Sequence, residues 1–126
     1  MTETDIQNSI RQALSPYGVV IRQNTGNFIT PDGRHVKCGM TGLSDLLFIG
    51  DGYIAFIEVK KPGGHIRPEQ KNFIRRMWQF HHRAGIAHSV EEAFMIAGIQ
   101  VSRPGGRETI FPGNAPPYKE GMIPGA

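Results

Sequence analysis

The sequence predicts an α/β domain in which helices flank a mixed central sheet. Three observations lead there. Two apolar runs, Leu46-Leu47-Phe48-Ile49 and Tyr53-Ile54-Ala55-Phe56-Ile57-Glu58-Val59, are joined through Gly50-Asp51-Gly52, and Asp-Gly between such runs is a strong hairpin cue. Both runs are apolar at successive positions, as strands covered on both faces are. The segments before and after them carry apolar residues at helical spacing.

Taken in order, Thr2 suits a helix N-cap, and Ile6, Ile10, Ala13 and Leu14 follow as one stripe. At about 100° per residue Glu3 falls on that stripe, whereas Asp5 points nearly opposite. Ser15-Pro16-Tyr17-Gly18 ends this helix. Residues 18–23, with Val19, Val20 and Ile21, read as a strand. Residues 24–40 are loop-rich, with a small hairpin in which Phe28-Ile29-Thr30 and Arg34-His35-Val36 flank Pro31-Asp32-Gly33. The central hairpin follows, and Lys61-Pro62-Gly63-Gly64 breaks its second strand. Pro68 suits the first turn of a second helix, expected to run to Ala84 with Gly85 as its cap. Its inner stripe is Gln70, Phe73, Ile74, Met77, His81 and Ala84, while Lys71, Arg75, Arg76, Gln79, His82 and Arg83 face outward. After a short strand at 86–88, Ser89 and Glu92 form a capping box for a last helix through Ala97, closed by Gly98. From Val101 onward five Gly and five Pro predict a tail without regular structure, disordered or laid over a neighbouring subunit. The division is a domain at 1–100 and a Gly/Pro-rich tail at 101–126.

Composition narrows the class. A length of 126 residues suits one core, and 39% hydrophobic residues exclude a disordered chain. Cys38 is the only cysteine, so no internal disulfide forms. No apolar run reaches the ~18–20 residues of a membrane span, and the polar, acidic start has no signal-peptide pattern. The net charge of +3 is unevenly placed. Residues 1–60 hold five Lys/Arg against six Asp/Glu, and residues 61–126 hold nine against five. The densest stretch runs from Lys60 to Arg83, with seven basic side chains against Glu69 alone. Such a segment is either a solvated helix face or a face for a polyanion.

The hairpin carries the chemistry. With a two-residue turn at Asp51-Gly52, counting back along both strands places Asp45 directly across from Glu58. Paired positions share a face with Cβ atoms about 4.5–5.5 Å apart, and Lys60 lies on that face two residues on. Two carboxylates about 5 Å apart repel by ~3 kcal/mol at an effective dielectric of ~20. Protonation of one acid, the nearby lysine, or a metal ion must offset that. A hard cation such as Mg²⁺ binds through one or two carboxylates and keeps waters or phosphate oxygens as its other ligands. A one-residue bulge would break the register and the juxtaposition with it. The five histidines lack ligand spacing, and Lys61-Pro62-Gly63-Gly64 lacks the phosphate-loop pattern of a nucleotide site.

In order along the chain stand a helix carrying Glu3, then Gly42-Leu43-Ser44-Asp45, then Glu58-Val59-Lys60, then a helix opening with Gln70. This series resembles the VRR-NUC family of the PD-(D/E)XK nuclease superfamily, over roughly residues 2–98. Ser44 stands where the superfamily's naming proline would be. The segment Arg22-Gln23-Asn24-Thr25-Gly26 also looks like the family's polar segment after the first strand. The resemblance implies a restriction-endonuclease-like core and a metal-dependent endodeoxyribonuclease. Asp45 and Glu58 would bind Mg²⁺ or Mn²⁺ with the Val59 carbonyl, and Glu3 would complete the acidic cluster. Lys60 would activate or position the attacking water, and Gln70 would orient it or a neighbouring group. Lys61, His65, Arg67, Lys71, Arg75 and Asn24 are the expected DNA contacts. Small members of this kind resemble phage-type homodimers acting on branched DNA, including Holliday junctions, in the bacterial cytoplasm. A flap or single-strand nuclease, and a non-catalytic DNA-binding module on the same fold, are the alternatives.

Overall fold

A computed structural model describes residues 1–23, 26–38, 40, 42–101 and 108–110. Helix α1 (Glu3–Leu14) opens on Thr2, whose hydroxyl accepts from the Asp5 N–H while the Asp5 carboxylate accepts from the Thr2 N–H. This reciprocal cap satisfies two orphan donors. Strand β1 (Val19–Arg22) follows, then the expected small hairpin, antiparallel, of β2 (Gly26–Ile29) and β3 (His35–Cys38), with Ile29 opposite His35. Strands β4 (Leu46–Gly50) and β5 (Tyr53–Val59) form the central hairpin.

The main sheet has the order β1-β4-β5-β6, where β6 is Arg83–Ala87. The first two neighbouring pairs are antiparallel and β5–β6 is parallel, so the sheet is mixed. A parallel pair needs a crossover, and α2 (Pro68–Gln79) supplies it. Helix α3 (Val90–Ala97) then returns over the sheet.

Each face has its own core. On one, Ile6, Ile10 and Leu14 of α1 and Ala93, Ile96 and Ala97 of α3 pack on Leu46, Phe48, Ala55, Ile57, Val59 and Ala87. On the other, Phe73 and Ile74 of α2 pack on Ala84 and Ile86, with Phe56 and Met77 beside them. Odd positions of β5 feed the first core and even positions face α2. Glu58 therefore lies under α2, fully enclosed at 2% exposure. No helix among the described residues is long and apolar enough to cross a membrane.

Three expectations need correction. Helix α2 ends at Gln79 rather than Ala84. His81 takes a left-handed φ of 66°, its N–H donates to the Trp78 carbonyl, and the His82 N–H reaches back to Met77. These are the paired bonds of a Schellman stop. The strand that must lie parallel to Ala55–Val59 begins at Arg83, so the helix has to end before it. His81 and His82 thus belong to a turn. The second correction follows from the first. Arg83 is not on an outer helix face but buried at 1% exposure, donating from Nε to the Ile96 carbonyl at 2.8 Å and from Nη2 to Met95 at 3.1 Å. It caps the C-terminal end of α3, where cations are favoured. Gly98, at φ 76°, passes so close that a Cβ there would meet the Arg83 guanidinium carbon at 2.9 Å. Third, part of the stretch expected to lack structure is paired: β8 (Glu108–Ile110) lies antiparallel to β7 (Ile99–Val101).

Candidate active site

The register at the hairpin is unbroken. Gly50 pairs with Tyr53 and the ladder continues through Leu46 and Ile57 without a bulge, so the next positions, Asp45 and Glu58, stand opposite each other. They are locked reciprocally: the Asp45 N–H donates to Glu58 Oε2 at 3.2 Å, and the Val59 N–H donates to Asp45 Oδ2 at 2.9 Å. The neighbouring strand holds Asp45 from its other side, because the Gln23 N–H donates to the Asp45 carbonyl at 2.8 Å. Gln23 Nε2 donates to the Ser44 carbonyl at 3.3 Å, and the buried Ser44 hydroxyl donates to Leu46. Thus Ser44 fixes the turn into β4 by hydrogen bonding.

Helix α2 closes the site. Gln70 is buried in its first turn, where Nε2 donates to Glu58 Oε1 at 2.6 Å and Oε1 accepts from the Arg67 N–H at 3.0 Å. Gln70 is thereby at once an N-terminal cap and the clamp on Glu58. Gly42 lets this happen: it has φ 84°, and a Cβ there would lie 2.3 Å from the Glu69 carbonyl oxygen. Only glycine lets the loop before Asp45 approach the start of α2 so closely. Lys60 is 9% exposed, its N–H pairs with Ala87 of β6, and its Nζ lies 3.9 Å from Glu58 Oε1.

The carboxyl pair has a raised proton affinity. Burial, and then the adjacent Asp45 charge, push Glu58 from 4.5 up to about 8, against the opposing pull of Lys60. Asp45 is also raised, chiefly by burial and further by the charge of Glu3, although the Val59 N–H and Glu58 bonds oppose this. One lysine does not compensate an enclosed acid and a half-buried one beside it.

The structure brings Asp45, Glu58, Val59, Lys60 and Gln70 together. Glu3 stays apart: its charge reaches Asp45, but among the described residues no group of three or more Asp, Glu, His or Cys could hold one ion. Glu3 is the first residue of α1, partly exposed, and the stripe from Ile6 to Leu14 sets where the helix lies. Lys61, His65 and Arg67 are exposed in the loop between β5 and α2, and Lys71 and Arg75 continue along α2, Arg75 exposed and Lys71 partly so. Asn24 lies outside the described residues. Gln23, which the sequence places only in the polar segment after the first strand, supports the site directly; the signal available was a polar residue one step beyond an apolar edge strand.

No family model and no curated protein matches the chain. The chemistry of the site itself carries the functional reading.

Proposed function

We propose that the protein is a divalent-metal-dependent endodeoxyribonuclease that hydrolyses phosphodiester bonds in branched DNA, Holliday junctions included, as a homodimer. The observation that carries this is the Asp45–Glu58 pair, with Glu58 enclosed and Asp45 half-buried, short of positive charge and set beside Lys60. The donor set fits Mg²⁺ or Mn²⁺: hard carboxylate oxygens from two residues suit an ion that keeps several waters. Asp45, Glu58 and Val59 would hold it, with Glu3 acting on the site through its charge. When bound, the ion supplies Lewis acidity toward a phosphoryl oxygen and lowers the pKa of water.

The residues of the chain do the rest. Lys60, enclosed and fixed at the strand end, sets its ammonium where a phosphate gains negative charge on attack, an effect worth most where water is excluded. Gln70 acts through Glu58, holding its carboxyl toward Asp45. Lys61, Arg67, Lys71 and Arg75, with His65, would meet a phosphate backbone running along the start of α2, and such contacts position a strand without reading its bases. Two cuts across a four-way junction need two sites, which a C₂ dimer supplies.

A non-catalytic DNA-binding module is the second reading, favoured by the lack of a third carboxylate in ligating range among the described residues. Labelled junction, flap, splayed and linear DNAs incubated with Mg²⁺, Mn²⁺ or chelator separate the two. The nuclease reading expects cutting with either metal and none with chelator. It also expects losses of at least about 10²-fold in Asp45→Asn and Lys60→Met. Uncut DNA in every lane, with binding that weakens steeply with salt, would establish the binding module instead.

A further inference from the structure

The early stop of α2 opens a groove of about 660 Å³ at the end of the sheet away from Glu58, lined by Ile49, Tyr53, Ile54, Phe80, His81 and His82. We propose that this groove takes an unpaired nucleobase from a strand whose backbone runs along α2 to the candidate active site. The proposal rests on the nuclease reading for the identity of the strand, but on separate residues for the contact.

The groove follows from the fold. Because His81 turns left-handed, Phe80 and the two histidines project past the helix end, over the sheet at Ile54. The floor is aliphatic, from Ile49 and Ile54, and the walls are the Phe80, His81 and His82 rings. Phe80 is 52% exposed, a large cost for an aromatic with nothing to cover it, and Ile54 beside it is 38% exposed. The Arg76 guanidinium carbon sits 5.1 Å from the centre of the Phe80 ring, and the His82 ring meets Phe56 edge-on at 6.1 Å. An exposed ring with a cation against it is the pairing that single strands use: the base stacks and the cation meets the adjoining phosphate. Gly50 and Gly52, on either side of Asp51, also line the groove, so the hairpin turn forms part of its rim.

Spacing supports one continuous strand. From Gln70 to Phe80 is ten residues, about 15 Å at ~1.5 Å each. From Glu58 back to Ile54 is four residues, about 13 Å along β5. At about 3.4 Å per stacked nucleotide, a phosphate at Lys60 and a base at Phe80 belong to one strand about four to six nucleotides apart, and fewer if it is extended. Lys71 and Arg75 lie on α2 between the two points, so the path is positively charged.

The test is binding of a labelled single-stranded 12-mer by fluorescence anisotropy in chelator, where no cutting intervenes. Phe80→Ala is expected to weaken it about tenfold, as loss of one stacked base does, and to change blunt-duplex binding less than twofold. Phe80→Trp restores the affinity. Scanning a single abasic nucleotide along the oligonucleotide should find one position that costs the wild type about tenfold and Phe80→Ala nothing further. That scan on the wild type needs no variant to fold. Equal single-strand affinity in Phe80→Ala, or an abasic scan without such a position, overturns the proposal. So does a dimer-to-monomer shift in sedimentation with affinity unchanged, which would make the groove a contact between copies. If wild type cuts no DNA yet the abasic pattern holds, the nuclease reading falls and the base site stands; if it cuts and Phe80→Ala binds normally, only the base site falls.

Discussion

Replacing Glu58 with glutamine should make the metal-free protein more stable at pH 9 and less stable at pH 5. The folded Glu58 titrates at about 8 against 4.5 for the free group, so the folded state holds its proton more tightly than the unfolded state does. With more protons bound when native, stability falls as pH rises, starting near 4.5 and levelling above 8. At ~1.4 kcal/mol per pH unit of difference, the full cost to the wild type at high pH is about 5 kcal/mol, an upper bound. Glutamine has the shape of the protonated acid and escapes this cost. It offers one acceptor oxygen where Glu58 uses two, for the Asp45 N–H and Gln70 Nε2, so it forfeits roughly 1–3 kcal/mol through a weakened hydrogen bond. The variant should therefore lose about 1–3 kcal/mol at pH 5 and gain about 2–4 kcal/mol at pH 9, with the two curves crossing between. Urea unfolding followed by Trp78 fluorescence, with chelator present, measures both curves. If the difference between variant and wild type does not change with pH, Glu58 does not titrate as its enclosure beside Asp45 requires, and the case for an uncompensated site collapses.

Two further outcomes follow from the same structure. Mg²⁺ or Mn²⁺ at a hundredfold excess over its dissociation constant should stabilise the protein by ~2.7 kcal/mol. The apparent affinity should tighten from pH 6 to pH 8, because the ion displaces the Glu58 proton; a thermal shift equal at both pH values, or persisting in Asp45→Asn, would contradict this. Arg83→Met should cost about 1–3 kcal/mol in urea unfolding, since the Ile96 carbonyl at the end of α3 loses its buried Arg83 donor while Met95 keeps the Gly98 N–H; a change under 1 kcal/mol would show that the guanidinium is not needed there.

What the sequence made legible, and what it hid, have separate physical causes. The carboxyl pair was legible because strand periodicity is two and a two-residue turn fixes register absolutely, so Asp45 and Glu58 follow from Gly50 and Tyr53 by counting. Caps at Thr2, Ser89 and Gly98 were legible for a similar reason: each is decided by a few neighbouring residues. The end of α2 is decided elsewhere. The pattern through His81 and Ala84 suits a helix, and Gly85 is a better left-handed cap than His81, so local signals favour the longer helix. The parallel pairing of β6 with β5 needs Arg83 through Ala87 extended, and that contact lies some thirty residues away in sequence, where no local pattern records it. Arg83 was misplaced for the same reason, its partners being the carbonyls of a helix that had yet to be positioned. Shortening α2 is what strands Phe80, His81 and His82 at the helix end and leaves their rings over Ile54. The groove proposed to hold a base is therefore a direct product of the one competition, helix against parallel strand, that only the folded chain resolves.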